Sequence, residues 1–321
     1  MGSSLMPIED QIDDLVESFD ARFQEAMRDI IKRLQEKLTH EQLVFLLESG
    51  DIAAIEEAYR DTFDVINSGL TPVFEEESLS AGLFLIGLIP AAFGSPSFSL
   101  TRPETASVIR DTQMRMVDSM TQTTLQGIRL MARQPTTDYE GQARRFIAGV
   151  GLSDRNAQAI INYENALRNN SSVAIRRALR DKKFDERVLR AIRGGSPLSE
   201  DQIQMMVSRY REKMTEHRIK LIAFNEKWAA FNAGYDAALN QAIDEGFIEE
   251  GGIRRFWIHR GDSNVRAAHM AIPRNNPKGV GPKQAFTSPL GPIRFPHDPQ
   301  ASLSNTAGCR CIIQVKFVEP S

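Results

Sequence analysis

The sequence predicts a mainly α N-terminal region followed by a small, loop-rich α+β module at the C-terminal end. Two observations lead to this prediction. Over most of residues 8–245, apolar side chains recur every three or four positions, which is the period of an amphipathic helix. After Gly251 and Gly252 that period is largely lost, and proline and glycine become frequent. The chain therefore divides into four consecutive segments: 1–103, 104–199, 200–250 and 251–321.

The composition is that of an ordinary soluble protein of 321 residues, with 41% hydrophobic and 25% charged residues. It excludes collagen, a wholly disordered chain and a polytopic membrane protein. The 39 basic and 42 acidic side chains give a net charge of −3. Because a chain-wide positive field is absent, any contact with nucleic acid requires a local basic patch.

Cys309 and Cys311 are the two cysteines of the chain, too few for a disulfide scaffold in a protein of this length. Residues 1–14 are polar and acidic and lack the basic and apolar regions of a secretory signal. Together these features predict synthesis in a reducing cytoplasm.

The first segment, 1–103, begins with an acidic arm. Residues 8–59 have the periodicity of a helix, and residues 1–60 carry 14 acidic against 6 basic side chains, a net charge of −8. This arm is either a solvated helix face or a docking helix for another protein.

An uncharged, strongly apolar stretch follows at residues 79–93. A membrane-spanning helix needs about 20 apolar residues, whereas this stretch is shorter and is interrupted by Gly82, Gly87 and Pro90. We expect a buried helix or a packed loop. A protein interface and a membrane-active segment are the alternatives.

The second segment, 104–199, combines an apolar-striped helix over residues 104–131 with a helical, basic region over residues 139–193. Between Arg168 and Arg193 there are 9 basic and 3 acidic side chains, a net charge of +6. Such a patch can neutralise phosphates, while a solvated helical hairpin is the alternative. The candidate DNA contacts are Arg176, Arg177, Arg180, Lys182, Lys183, Arg187 and Arg190.

The third segment, 200–250, is predicted to be one long helix. Ser199 and Gln202 have the spacing of a helix start, and the apolar period continues to about Glu245. Gly246 is the expected C-terminal stop.

The last segment, 251–321, predicts short strands at residues 254–259 and 311–318, and helical periodicity around residues 264–270. Three of the five histidines and both cysteines lie in this module. Asp262 stands where a helix N-cap would stand, before Val265 and Arg266. On such a helix, Val265 and His269 would share one face.

Cys309 and Cys311 are two residues apart, so in a strand both thiols point to the same face. Two thiolates on one face can ligate a soft metal such as zinc. His269 and either His259 or His297 could complete a tetrahedral site. The alternative is that both cysteines pack as small hydrophobic residues, with His269 hydrogen-bonded to a loop.

The same residues also allow two catalytic arrangements. A cysteine of the pair with His269, oriented by Asp262, would form a nucleophile and base. A metal-activated water is the other arrangement. No phosphate-binding loop, dinucleotide fingerprint or zinc-protease helix occurs in the sequence.

The order of motifs in the C-terminal third resembles a known family. The segments "HRIKLIAFNEKWAAFNAGYDAAL", "FWIHRGDSNVRAAH", "GPIRFPHDP" and "GCRCIIQVKF" follow one another over residues 200–318. They are similar to the phage head-morphogenesis family, the Mu F-like minor head proteins. Gly308 stands where that family usually has Asn before Cys-Arg-Cys. The matching positions are Trp257, Asp262, Val265, Arg266, His269, Gly291, Pro292, Phe295, Pro296, Asp298, Pro299, Cys309, Arg310 and Cys311.

The resemblance implies a low-copy virion protein and not an enzyme. Such proteins lie inside the capsid at the portal vertex, after synthesis in the host cytoplasm, and act in head assembly, DNA packaging or retention, and genome delivery. The implied partners are the portal protein, capsid or scaffold proteins and packaged double-stranded DNA, with a membrane role not expected. A metal- or cysteine-dependent effector delivered with the genome is the alternative. The expected docking network comprises Trp257, Asp262, Val265, Arg266, His269, Pro296, Asp298 and Arg310.

Overall fold

A computed structural model describes residues 6–317 and has the predicted fold class. Two strands, β1 (Ile253–Ile258) and β2 (Ile312–Phe317), pair antiparallel, with Ile253 opposite Phe317. Val318, predicted to end the second strand, lies outside the described residues. The α-helices within the described residues are α1 (Ile8–Ser18), α2 (Asp20–Gln35), α3 (His40–Ser49), α4 (Ile52–Ala58), α5 (Thr62–Leu88), α6 (Pro103–Ala132), α7 (Tyr139–Gly149), α8 (Asp154–Arg168), α9 (Asp185–Ile192), α10 (Glu200–Asp244), α11 (Ala267–Asn275) and α12 (Leu303–Thr306).

The N-terminal helical stretch is broken into four helices by local capping. Thr39 accepts a hydrogen bond from the backbone N–H of Gln42, and the Gln42 side chain accepts from Thr39 N–H in return. Gly50 then ends α3 with a φ of 71°, a conformation that favours glycine. Asp51 caps the next helix by accepting from Ala54 N–H.

The uncharged stretch at residues 79–93 forms the end of α5 and a short 3₁₀ turn. Leu85 and Ile89 lie in a hydrophobic core, which confirms the prediction of a buried helix. Gly82 lets the Phe98 ring approach so closely that a Cβ at this position would lie 2.1 Å from it. No helix among the described residues is both long enough and apolar enough to cross a membrane.

The long helix of the third segment is confirmed as α10. Ser199 Oγ accepts from Gln202 N–H at 3.3 Å, and the Gln202 side chain accepts from Ser199 N–H at 3.2 Å. The helix runs without interruption to Asp244, and Gly246 follows with a φ of 79°.

The residues group into two compact units, each assembled from separated stretches. Unit 1 comprises Met1–Ala26, Leu70–Met116 and Leu221–Ser321, and unit 2 comprises Met27–Gly69 and Val117–Lys220. The two-stranded sheet and the histidine- and cysteine-bearing loops all belong to unit 1.

Unit 1 is built around a close approach of α5 and α10. A Cβ at Gly234 would lie 2.0 Å from the Ser78 carbonyl oxygen, and Ser78 Oγ donates to Ala230 O at 3.1 Å. Helix α1 packs into the same core through Ile12 and Val16. The core continues into the C-terminal module, which is thereby fixed to the helices of unit 1.

The acidic side chains of α1 and α2 include partners for buried cations of unit 1. Lys227 is 4% exposed, and its Nζ lies 2.6 Å from Glu17 and 2.7 Å from Asp20. Arg260 Nη2 lies 2.5 Å from Asp13. Part of the acidic arm is therefore neutralised within the chain.

Unit 2 has its own core between α8, α9 and the first half of α10. Tyr163 and Tyr210 pack with their ring centroids 4.4 Å apart. Around them lie Ile160, Val188 and Met206, all buried. The basic segment of residues 168–193 is attached to this core.

Candidate functional site

Helix α11 and the segment just before β2, both in unit 1, bring three of the predicted metal-binding residues together. His269 lies on α11, which begins at Ala267, and Cys309 and Cys311 come just before β2. The prediction that Asp262 caps this helix is wrong, because its carboxylate accepts from Asn264 N–H in a separate turn and Arg266 is the N-cap. Val265 accordingly lies outside the helix.

His269 stands directly against both thiols. Its Nδ1 lies 3.5 Å from Cys309 Sγ and 3.5 Å from Cys311 Sγ. All three side chains are buried, and their ligand atoms lie within 4.8 Å of one another. The predicted same-face placement of the two thiols is confirmed. The cluster can hold a metal ion.

Asn305 orients the imidazole of His269. His269 Nε2 and Asn305 Oδ1 are 2.9 Å apart, and Asn305 is fully buried on α12. Because a side-chain amide oxygen only accepts, Nε2 carries the proton and Nδ1 presents a lone pair to the sulfurs. A hydrogen bond from the ring nitrogen that does not bind the metal orients histidine ligands in metal sites. Asp262 was the expected orienting residue, and that expectation is wrong.

Aromatic side chains enclose the cluster on one side. The Trp257 ring packs edge-on against His269, with centroids 5.3 Å apart, and against Phe286 at 5.5 Å. A cavity of about 20 Å³ lies among His269, both cysteines and the neighbouring loop residues. That volume has room for about one water molecule or a single ion.

The cluster already favours one thiolate. The hydrogen bond with Cys311 holds the pKa of the Cys309 thiol well below its usual range, and His269 acts in the same direction against burial. The same contact, together with burial, raises the pKa of Cys311. Burial acts to lower the pKa of His269, but hydrogen bonds with Cys309 and Asn305 raise it overall. Thiolate is the form in which cysteine binds a metal.

Neither candidate for a fourth ligand belongs to this group of side chains. His297 is buried with a φ of 67°, and its Nε2 lies 2.9 Å from the Cys309 carbonyl oxygen. His259 Nδ1 accepts from Gly261 N–H at 3.1 Å. Within the described residues, the structure therefore brings together three of the four predicted ligands.

The predicted docking network is partly assembled around the same cluster. Asp262 forms an ion pair with Arg310 and not with Arg266, whose guanidinium donates to the Ala307 carbonyl. The backbone N–H of Asn264 and the Arg310 side chain hold the pKa of Asp262 below its usual range. The loop before Cys309 is thus tied to the turn before α11.

Asp298 anchors the proline-rich loop that includes the buried Pro296. Its Oδ1 lies 2.6 Å from Arg294 Nη2, and its Oδ2 accepts from Arg294 N–H at 2.8 Å. Arg115 on α6 donates to the Asp298 carbonyl at 2.7 Å and to Thr306 Oγ1 at 2.9 Å. This loop is therefore fixed to the helices of unit 1.

Sequence reasoning missed Asn305 and Arg115. Asn305 lies on a helix of only four residues, which has no detectable periodicity. Its proximity to the Cys-Arg-Cys motif was the one available signal. Arg115 lies in the Met-rich helix α6, whose apolar period carries no signal for a charged contact.

The candidate DNA contacts in unit 2 differ in how far they are already paired. Arg180 lies 2.7 Å from Asp185, and Lys183 lies 3.2 Å from Asp181. Three side chains are exposed and form neither an ion pair nor a side-chain hydrogen bond among the described residues: Lys182, Arg187 and Arg190.

The other two candidates are less available. Arg176 donates to Ser172 Oγ at 3.0 Å, and Arg177 is partly buried with an unpaired Nε. The unpaired positive charge on the surface of this segment is therefore concentrated on and next to α9.

Comparisons of the chain with protein-family models, with curated proteins and with solved structures find no match.

Proposed function

We propose that this chain is a minor head protein of a tailed phage, bound at the portal vertex inside the capsid. It would act in head assembly, in packaging or retention of DNA and in genome delivery. The observation that supports this proposal most is the convergence of the head-morphogenesis motif. Trp257, Asp262, His269, Cys309 and Arg310 are spread over more than fifty residues of sequence, yet they surround one buried cluster.

Zinc is the metal that we propose for this cluster. Zn–S bonds of about 2.3 Å and a Zn–N bond of about 2.0 Å at a tetrahedral angle place sulfur and nitrogen about 3.5 Å apart. The two distances from His269 Nδ1 to the thiols are both 3.5 Å. Bound zinc would join α11 to the start of β2 and make the loops rigid. Asn305 holds the imidazole in the tautomer that this requires.

A structural role fits this cluster better than catalysis. The cavity beside the thiols, about 20 Å³, admits an ion or a water but no substrate. A rigid loop module suits docking because its contacts lose little conformational entropy on binding. The proposed protein partners are therefore the portal ring and neighbouring capsid or scaffold proteins.

Packaged DNA is the remaining proposed partner. Lys182, Arg187 and Arg190 carry exposed positive charge that no acidic side chain among residues 6–317 neutralises. Contacts from such side chains to phosphates do not depend on sequence and weaken as salt is raised.

Co-sedimentation with purified portal rings and empty heads, at low and high salt, tests the proposed function. We expect salt-resistant binding at a few copies per portal. Absence of binding at both salt concentrations would contradict the portal role. A triple substitution of Lys182, Arg187 and Arg190 by Gln should leave portal binding intact and weaken DNA binding at low salt.

Metal analysis of the purified protein tests the zinc site separately. We expect about one zinc ion per chain, lost in His269→Ala and retained in the control His217→Ala, whose side chain is exposed. Equal zinc content in both variants would contradict the site. A turnover that disappears in Cys309→Ser while the fold is unchanged would instead favour the enzyme alternative.

A further inference from the structure

Unit 2 contains a half-enclosed cavity of about 210 Å³, separate from the histidine–cysteine cluster. It lies between α7, α8, the loop after α6 and one residue of α10. Its walls are largely apolar and include Phe146, Leu152 and Ile160, all buried. Small-molecule sites typically combine such walls with a few fixed polar groups.

Two guanidinium groups line this cavity. Arg211 comes from α10 and Arg145 from α7. Burial lowers the pKa of Arg211, the charge of Glu164 raises it, and the charge of Arg145 lowers it further, so both charged neighbours lie near its guanidinium. Two like charges on one cavity repel each other unless an anion lies between them.

Arg211 has no acceptor of its own. Among residues 6–317, no side chain or carbonyl group forms a hydrogen bond or an ion pair with its guanidinium. A partly buried charge without a hydrogen-bonded partner costs free energy, so a complementary anion would be bound favourably.

The acidic groups near the cavity are occupied elsewhere or exposed. Glu164 lines the cavity, but its Oε1 accepts from Arg168 at 2.7 Å and from Gln204 at 3.2 Å. Arg145 lies 3.6 Å from Asp138, which is 61% exposed, so this ion pair is weak. The side chains that line the cavity thus carry two positive charges, on Arg145 and Arg211, against the one negative charge of Glu164.

The loop that forms the mouth of the cavity is held in place before any ligand arrives. Gln142 Nε2 donates to the carbonyl oxygens of Met131 and Gln134, at 3.3 and 3.1 Å. A Cβ at Gly149 would lie 2.4 Å from Met131 Sδ, so the wall is tightly packed there. Such preorganisation reduces the entropic cost of binding.

We propose that this cavity binds a small organic carboxylate with a compact apolar body, its carboxylate group lying between Arg145 and Arg211. Guanidinium groups bind carboxylates through paired, charge-assisted hydrogen bonds. The apolar body packs against Phe146 and Ile160. The volume is below that of most drug-sized sites, which excludes a folded peptide segment as the ligand.

Isothermal titration of the full chain with benzoate tests this proposal. Benzamide, which is nearly isosteric but neutral, and inorganic phosphate, which has no apolar body, are the comparison probes. We expect benzoate to bind at least about tenfold more tightly than either probe. Equal affinity for benzamide, equal affinity for phosphate, or no benzoate binding at about 10 mM would each overturn the proposal.

Matched variants locate the binding site. Arg211→Gln should weaken benzoate binding at least about tenfold, and Arg211→Lys should weaken it less, because lysine keeps the charge but loses the paired donors. The control Arg144→Gln, which removes a neighbouring side chain that is 68% exposed and outside the cavity, should bind benzoate as the unmodified chain does. Far-ultraviolet circular dichroism confirms that each variant is folded. Undiminished binding in folded Arg211→Gln would overturn the proposal.

Discussion

Glu226 on α10 is predicted to make the stability of unit 1 depend on pH. The side chain is fully buried, and neither carboxylate oxygen has a hydrogen-bond partner among the described residues. Burial raises its pKa to about 8, whereas an exposed glutamate has a value of 4.5. Between these values the folded state holds a proton that the unfolded state has released.

The sign and the size of the effect follow from this difference in proton binding. The contribution of Glu226 to stability is fully present below about pH 4.5 and is lost as the pH rises to about 8. The loss amounts to about 1.4 kcal/mol per pH unit within that window. Between about pH 5.5 and about pH 7.5, the free energy of unfolding should therefore fall by about 2–3 kcal/mol because of this residue alone.

Glu226→Gln removes the titratable carboxyl group and keeps the shape of the side chain. Urea denaturation followed by tryptophan fluorescence is a suitable assay, because Trp228 and Trp257 both lie in unit 1. The pH dependence in the unmodified chain should exceed that in the variant by about 2–3 kcal/mol over the same interval. Other titrating groups, including Glu77, cancel in this comparison. The exposed Glu212→Gln is the control and should match the unmodified chain.

Parallel pH profiles for the unmodified chain and Glu226→Gln would refute the reasoning. Such a result would mean that Glu226 is ionised in the folded protein and that burial does not control its protonation. If Glu212→Gln reduced the pH dependence of stability as much as Glu226→Gln does, the effect would come from the net charge of the chain.

Three further predictions concern packing, a buried ion pair and the metal site. Gly234→Ala should destabilise unit 1 by about 1–3 kcal/mol in urea denaturation, because its Cβ would overlap the backbone of α5, whereas Gly87→Ala, with open space around it, should not. Arg255→Met should cost about 3–5 kcal/mol in the same assay, since it leaves a buried carboxylate unpaired; an unchanged midpoint would contradict this role. Asn305→Ala should weaken zinc binding by about 10- to 100-fold in a chelator competition, because His269 loses its orienting acceptor; unchanged affinity would count against that role.

The helices show how far the sequence alone determines the fold. The period of apolar residues is a local property, so α6 and α10 were predictable with nearly correct ends. The predicted helical region 139–193 instead divides into α7, α8 and α9, and residues 169–184 lie outside the α-helices. Breaks within the N-terminal stretch depend on single capping residues, such as Thr39 and Gly50, whose effect an apolar stripe does not reveal. The boundaries there were accordingly missed, although the helical content was not.

In the candidate site, too, some features follow from the local sequence and others from tertiary packing. The spacing of Cys309 and Cys311 predicts two thiols on one side of the chain, because alternation along an extended backbone is local. The packing of distant loops decides which histidine contacts the two thiols. It also decides that Asn305, and not Asp262, orients this histidine. The cavity lined by Arg145 and Arg211 likewise has no sequence signature, since these two residues lie on helices far apart in the chain. Residue type and spacing thus determined the helices and the ligand chemistry, whereas burial and long-range contacts decided which side chains meet.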